Sequence, residues 1–215
     1  ISITFSEVVT VTGSPQLTLE TGETDAEVNY TSGSGSTTLL FNYTVSSGQA
    51  SNDLDYAGTD ALSLNGGTIL DASGNASVLT LASPGATNSL GANKALIIDG
   101  IVPSVSSVAS STSNGIYKIG ETVAITVTFS EAVTVNGSPQ LTLETGSSDA
   151  VVNYTSGSGS STLIFNYTII EGHQSADLAY SGTDALALNG GSILDAAGNN
   201  TSLTLVAEGQ ENSLS

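Results

Sequence analysis

Positive charge is nearly missing from this chain: 2 basic side chains stand against 20 acidic ones, for a formal net charge of −18. Nucleic acid is thereby excluded as a partner, because gripping phosphates takes clustered Lys and Arg. Cysteine is absent, so no disulfide staples the fold and its cores must be large enough to hold without one. Trp and Met are absent as well, and without Trp the aromatic platform expected of a sugar site falls to Tyr alone. No apolar run approaches the roughly 18 residues that cross a bilayer, and no charged start with an apolar follow-on resembles a secretion leader. The acidity itself has two readings, solubility through self-repulsion and cation binding by a subset of the carboxylates, and both can hold together.

What the chain does have, it has twice. The stretch ISITFSEVVTVTGSPQLTLETG from Ile1 returns without a gap as ITVTFSEAVTVNGSPQLTLETG from Ile125, and the offset of 124 holds as far as Ser215. Roughly two thirds of the aligned positions are identical, which marks an internal repeat. The organisation expected is a first unit over residues 1–99, a linker at 100–103 and a second unit over 104–215. Two complete copies would need a further counterpart of Ala92–Ala124. On that reckoning the first unit lacks its opening strand and the second its closing one, leaving edges for a longer array or a neighbouring chain to complete.

Alternation predicts the strands. Apolar residues recur with period two at Ile1, Ile3 and Phe5, at Leu17 and Leu19, and at Leu39, Phe41, Tyr43 and Val45, with Thr, Ser and Asn between. Gly and Ser clusters at 32–36 and 156–160 separate consecutive strands at hairpin length. Nothing holds a helical period. In the second unit this predicts strands near Val105–Ala109, Thr122–Phe129, Gln140–Glu144, Val151–Thr155 and Thr162–Ile169, and in the first a final strand near Lys94–Ile98. The fold class expected is all-β, as tandem immunoglobulin-like β-sandwiches.

TFSE at the end of one strand, GSPQLTLETG after it, the paired Asn-Tyr-Thr strands, Leu-Asn-Gly-Gly, then Asp-Ala-x-Gly-Asn and the linker Asp99-Gly100-Ile101-Val102-Pro103 follow one another in this chain. Together they resemble the bacterial Ig-like repeats of very large cell-surface adhesins, over essentially the whole length. The resemblance implies an extracellular array at the cell surface that projects a terminal binding domain and is stiffened by calcium at its junctions. The linker departs from the aspartate-threonine-threonine-alanine-proline pattern usual in such repeats, and its glycine loosens the joint.

The residues offer a place for such an ion. In a sandwich entered from the linker, Asp99, the Ser130-Glu131 turn and the Asp195-to-Asn199 loop are expected at one pole. Calcium takes six to eight hard oxygens, mostly carboxylates and carbonyls, so Asp99, Glu131, Asp195 and Asn199 are candidate ligands. The repeat puts Glu7, Asp71 and Asn75 in the matching half-site. The competing reading is an ordinary turn, with Asp closing it and Gly or Asn accepting positive φ. Asp53, Asp60, Asp177 and Asp184 are a second-choice cluster.

Catalysis has little to stand on, and the expectation is that the chain is not an enzyme. The sole histidine, His173, aligns with Gln49 and reads as a loop residue. The pair Asp53 and Asp55 is copied as Asp177 and Ala179, so no carboxylate dyad recurs. Lys94 and Lys118 have no equivalents that would make an isopeptide crosslink a repeated device. Asn29, Asn42, Asn153 and Asn166 match a glycosylation pattern but also read as polar strand positions.

The function expected is that of structural extender repeats with calcium at the domain junctions. Neighbouring Ig-like repeats are the expected partners, head-to-tail self-association is the further one, and no membrane insertion is expected. The rivals are a ligand- or carbohydrate-binding module and a subunit of a strand-complemented surface filament.

Overall fold

The computed structural model describes residues 1–215, of which 41% are strand and 2% helix, so the chain is all-β. It divides into two compact units, Ile1–Ile101 and Val102–Ser215. The first contains β1 (Ser2–Thr12), β2 (Gln16–Leu19), β3 (Ala26–Ser32), β4 (Ser36–Phe41), β5 (Ala50–Ser51), β6 (Leu62–Ser63), β7 (Thr68–Leu70), a single-turn α1 (Leu90–Asn93) and β8 (Ile98–Asp99). The second contains β9 (Val105–Ser110), β10 (Thr122–Asn136), β11 (Gln140–Glu144), β12 (Ala150–Ser156), β13 (Ser160–Thr168), β14 (Ala179–Tyr180), β15 (Leu186–Ala187) and β16 (Ser192–Leu194).

Strand order in the first unit is β6-β2-β3-β4-β1-β7, and in the second β14-β11-β12-β13-β10-β16, with β15 also on β11 and β9 also on β10. Every ladder is antiparallel, and the shared pairings keep the sequence offset: Leu17 opposes Val28 as Leu141 opposes Val152, and Ile3 opposes Leu39 as Val127 opposes Leu163. Most of the alternating apolar residues face inward as expected, but β4 stops at Phe41, so Tyr43 lies beyond the strand and Val45 is exposed. Leu17, Leu19, Leu39 and Phe41 are fully buried, and so are Leu141, Leu143, Leu163 and Phe165. Each core is closed by an edge-to-face ring pair, Tyr30 on Phe41 and Tyr154 on Phe165, with centroids 6.2 Å apart in both.

One strand serves two sheets in each unit, which is how sandwich layers are commonly joined at a corner. β10 pairs with β13 from Thr122 to Thr128 and again at Val133, then with β16 from Thr134 to Asn136. Its copy β1 pairs likewise with β4 and then β7. Here the structure departs from the sequence reading: Ser130-Glu131 is not a turn after a strand but the interior of one. Between Thr128, opposite Thr162, and Val133, opposite Ser160, the ladder shifts. The surplus residues bulge out of the pairing while the strand goes on, re-aiming side chains without ending it.

The hairpin between β3 and β4 shows why its Gly-Ser run is repeated. Gly33 and Gly157 sit at φ 114 and 113, and a Cβ on either would lie 2.1 Å from the carbonyl oxygen of Thr38 or Thr162. Tyr30 and Tyr154 then accept the Ser34 and Ser158 N–H groups through their hydroxyls, at 2.7 and 2.8 Å. The strand expected at Lys94–Ile98 is also redrawn. Ser89 caps α1 by accepting the Ala92 N–H at 3.1 Å, Lys94 is the C-cap, and the strand proper is only Ile98–Asp99.

Candidate functional site

Asp195 follows β16 directly, and its loop is closed by its own carboxylate. Asn199 donates its backbone N–H to Oδ1 and its side-chain amide to Oδ2, both at 2.8 Å, and the Asp195 N–H returns to the Asn199 carbonyl at 3.2 Å. Gly198, at φ 93, makes the reversal possible. The turn reading of Asp-Ala-x-Gly-Asn is therefore seen directly. The side chain is 5% exposed. Burial pulls the Asp195 pKa upward, but donors from Asn199, Gly198 and Ala197 outweigh it and hold the carboxyl below the usual carboxylate value.

Glu131 reaches the same spot from the β10 bulge. Because Thr134 opposes Leu194, the chain just before Thr134 runs alongside the chain just after Leu194. A carboxylate oxygen of Glu131 lies within 4.8 Å of one on Asp195. An ion with metal–oxygen bonds of about 2.3–2.6 Å spans two oxygens at up to roughly 5 Å, so calcium fits between them. Asn199 spends its amide nitrogen on Asp195, so any ligand role there falls to its oxygen. Asp99 closes β8 in the first unit, where its Oδ1 accepts the Ile101 N–H at 3.1 Å.

The copy in the first unit is built alike. Asp71 accepts N–H groups from Ser73 and Asn75 at 2.8 Å and the Asn75 amide at 2.7 Å. The Asn75 side chain and backbone hold its pKa low against an opposing pull from burial, with lesser help from Ser73 and Gly74. Glu7, Asp71 and Asn75 line one open depression of about 380 Å³ beside Ile3 and Phe5. Asp53, Asp60, Asp177 and Asp184 are exposed, and none belongs to a group of three acids close enough to share an ion.

Sequence reasoning weighed Asp55 only as half of a dyad with Asp53 and missed its structural role. This carboxylate is 8% exposed and accepts the backbone N–H groups of Tyr56, Gly85 and Leu90 at 2.9, 3.0 and 3.2 Å. Burial acts to raise its pKa, yet Gly85, Tyr56, Ser89 and Gly91 together bring it below the ordinary value. The exchange for Ala179, which argued against a dyad, was also the one sign in the sequence that Asp55 has a role peculiar to the first unit.

No family model matches this chain, and neither a curated protein nor a solved structure matches it. No helix is long and apolar enough to cross a membrane.

Proposed function

We propose that these are structural extender repeats of a bacterial cell-surface adhesin, working outside the cell and stiffened by calcium at the domain junction. Glu131 and Asp195 hold the ion, with the Asn199 oxygen beside them. Glu7, Asp71 and Asn75 form the corresponding half-site. The observation that carries this reading is the approach of two carboxylates to within 4.8 Å in a chain whose only cationic side chains, Lys94 and Lys118, are exposed elsewhere. Two anions so placed repel each other, and a divalent cation relieves that repulsion while tying β10 to the loop after β16. A duplicated scaffold with a cation beside the linker suits reach and controlled stiffness rather than turnover.

Scanning calorimetry with calcium and with a chelator tests it. A ligand that binds only the folded state adds about 2.7 kcal/mol at a hundredfold excess over Kd, so calcium raises the Tm. Glu131→Ala removes most of that gain and leaves the apo Tm nearly unchanged. Identical scans with and without chelator would remove calcium from the account.

A further inference from the structure

Asparagine followed by glycine occurs at four places in this chain: Asn65-Gly66, Asn114-Gly115, Asn136-Gly137 and Asn189-Gly190. Such a pair carries its own chemistry. With no side chain on the second residue, its backbone nitrogen can swing onto the asparagine side-chain carbonyl, and the conformational freedom of glycine permits the approach. How each pair is held in the fold decides which of them reacts.

Three of the four are held away from reaction. Asn65 and Asn189 sit at positive φ, 44 and 49, in turns closed by the Gly67 and Gly191 N–H groups on the Leu64 and Leu188 carbonyls, both at 2.8 Å. Their side-chain amides donate to the Ser14 and Ser138 carbonyls at 3.1 and 3.2 Å. Asn136 ends β10 opposite Ser192, and Gly137 packs so closely that a Cβ on it would lie 2.9 Å from the Gly191 Cα. Folding the nitrogen back at any of these three breaks a turn or a ladder.

Asn114 is held differently. With Gly115 and Ile116 it forms the exposed tip of the loop between β9 and β10. The flanks of that loop are tied. Thr112 donates its N–H to Ser110 Oγ at 3.1 Å and accepts the Ala124 N–H at 2.9 Å, the Tyr117 hydroxyl donates to the Ser113 carbonyl, and the Lys118 N–H donates to Glu121 at 2.9 Å. No hydrogen bond ties the Asn114 amide or the Gly115 N–H.

We propose that Asn114 is a site of self-modification, where the chain deamidates with water as the only co-reactant. The Gly115 nitrogen attacks Asn114 Cγ and a C–N bond forms. The Cγ–Nδ2 bond breaks, and Nδ2 leaves as ammonia with the proton that the Gly115 nitrogen gives up. Water then opens the succinimide ring. Opening at Cγ leaves aspartate, and opening at the main-chain carbonyl leaves isoaspartate, whose backbone runs through Cβ. Nothing is oxidised or reduced. Either product adds a carboxylate to an already acidic chain, and isoaspartate also lengthens the span that the Tyr117 hydroxyl clasps onto Ser113.

The test incubates the full chain in mildly alkaline buffer and follows each pair by peptide mapping, with a methyltransferase specific for isoaspartate as an independent label. The tryptic peptide Ala95–Lys118 carries Asn114 alone of the four. Exchange of NH for O is expected at Asn114 at least about tenfold faster than at Asn65, Asn136 or Asn189, a difference in barrier of about 1.4 kcal/mol or more. In urea the four rates draw together, because the protection belongs to the fold. Gly115→Ala slows the reaction at Asn114 roughly tenfold or more. That variant keeps the fold, since a Cβ on Gly115 meets nothing nearer than the Tyr117 ring at 3.6 Å. The proposal is overturned if Asn114 stays intact, if another pair in the folded chain keeps pace with it, if Gly115→Ala reacts unchanged, or if the spread of rates persists in urea.

Discussion

The imidazole of His173 shares a 2.9 Å hydrogen bond with the Tyr167 hydroxyl and lies stacked on that ring, with centroids 5.7 Å apart. Gln49 holds the matching place in the first unit, where Tyr43 donates to its Oε1 at 2.9 Å. An imidazole and an amide thus do the same job, tying the loop after a core strand to a tyrosine whose pKa burial raises.

His173→Gln therefore stays within about 0.5 kcal/mol of the parent. His173→Ala, which deprives the half-buried Tyr167 hydroxyl of its partner, costs about 0.5–1.5 kcal/mol. Urea unfolding of the two variants side by side checks the difference. Equal losses would mean that the bond contributes nothing.

Asp55 makes the first unit sensitive to acid in a way the second is not. Its folded pKa lies below the ordinary carboxylate value, so its contribution is complete above the unfolded value and disappears as pH falls through the lower folded one. Hydrogen exchange at Gly85 and Leu90 should accelerate below about pH 4 relative to the rest of the unit. Asp55→Ala, which installs the residue found at Ala179, should cost the first unit about 2 kcal/mol at neutral pH by stranding backbone donors. A second-unit transition that moved equally would contradict this.

Gly157→Ala should cost at least about 1–2 kcal/mol, because it forces an L-residue into the left-handed region and sets a Cβ 2.1 Å from the Thr162 oxygen. Gly159→Ala is the control. It also has positive φ, at 84, but a Cβ there meets nothing within 4 Å, so its loss is the smaller. Thermal melts rank the two, and equal losses would show that backbone strain alone decides.

Alternation revealed the strands because each buries one face only: Leu17 and Leu19 are sealed while Glu20 between strand and turn is exposed. It failed at Ser130-Glu131, where a bulge suspends the period-two pattern without ending the strand. It failed again near Lys94, where Ser89 stops the chain with a helical turn before any strand can start. The approach of Glu131 to Asp195 depends on Thr134 meeting Leu194, and the cage around Asp55 is built by residues as distant as Gly85 and Leu90. Neither relation leaves a periodic trace, because long-range pairing sets them and local pattern does not.

Lys94 and Lys118 are both exposed, and between them run β8, the last strand of the first unit, and β9, the first strand of the second. A protease specific for lysine therefore meets two targets in the whole chain, and its two cuts release a single fragment on which both units depend. Digestion by trypsin should begin without any unfolding, yet the nicked fragment should stay in place for as long as the β5–β8 and β9–β10 pairings hold it. The moment of its release, read by mass, would clock the opening of an edge strand rather than the melting of a core.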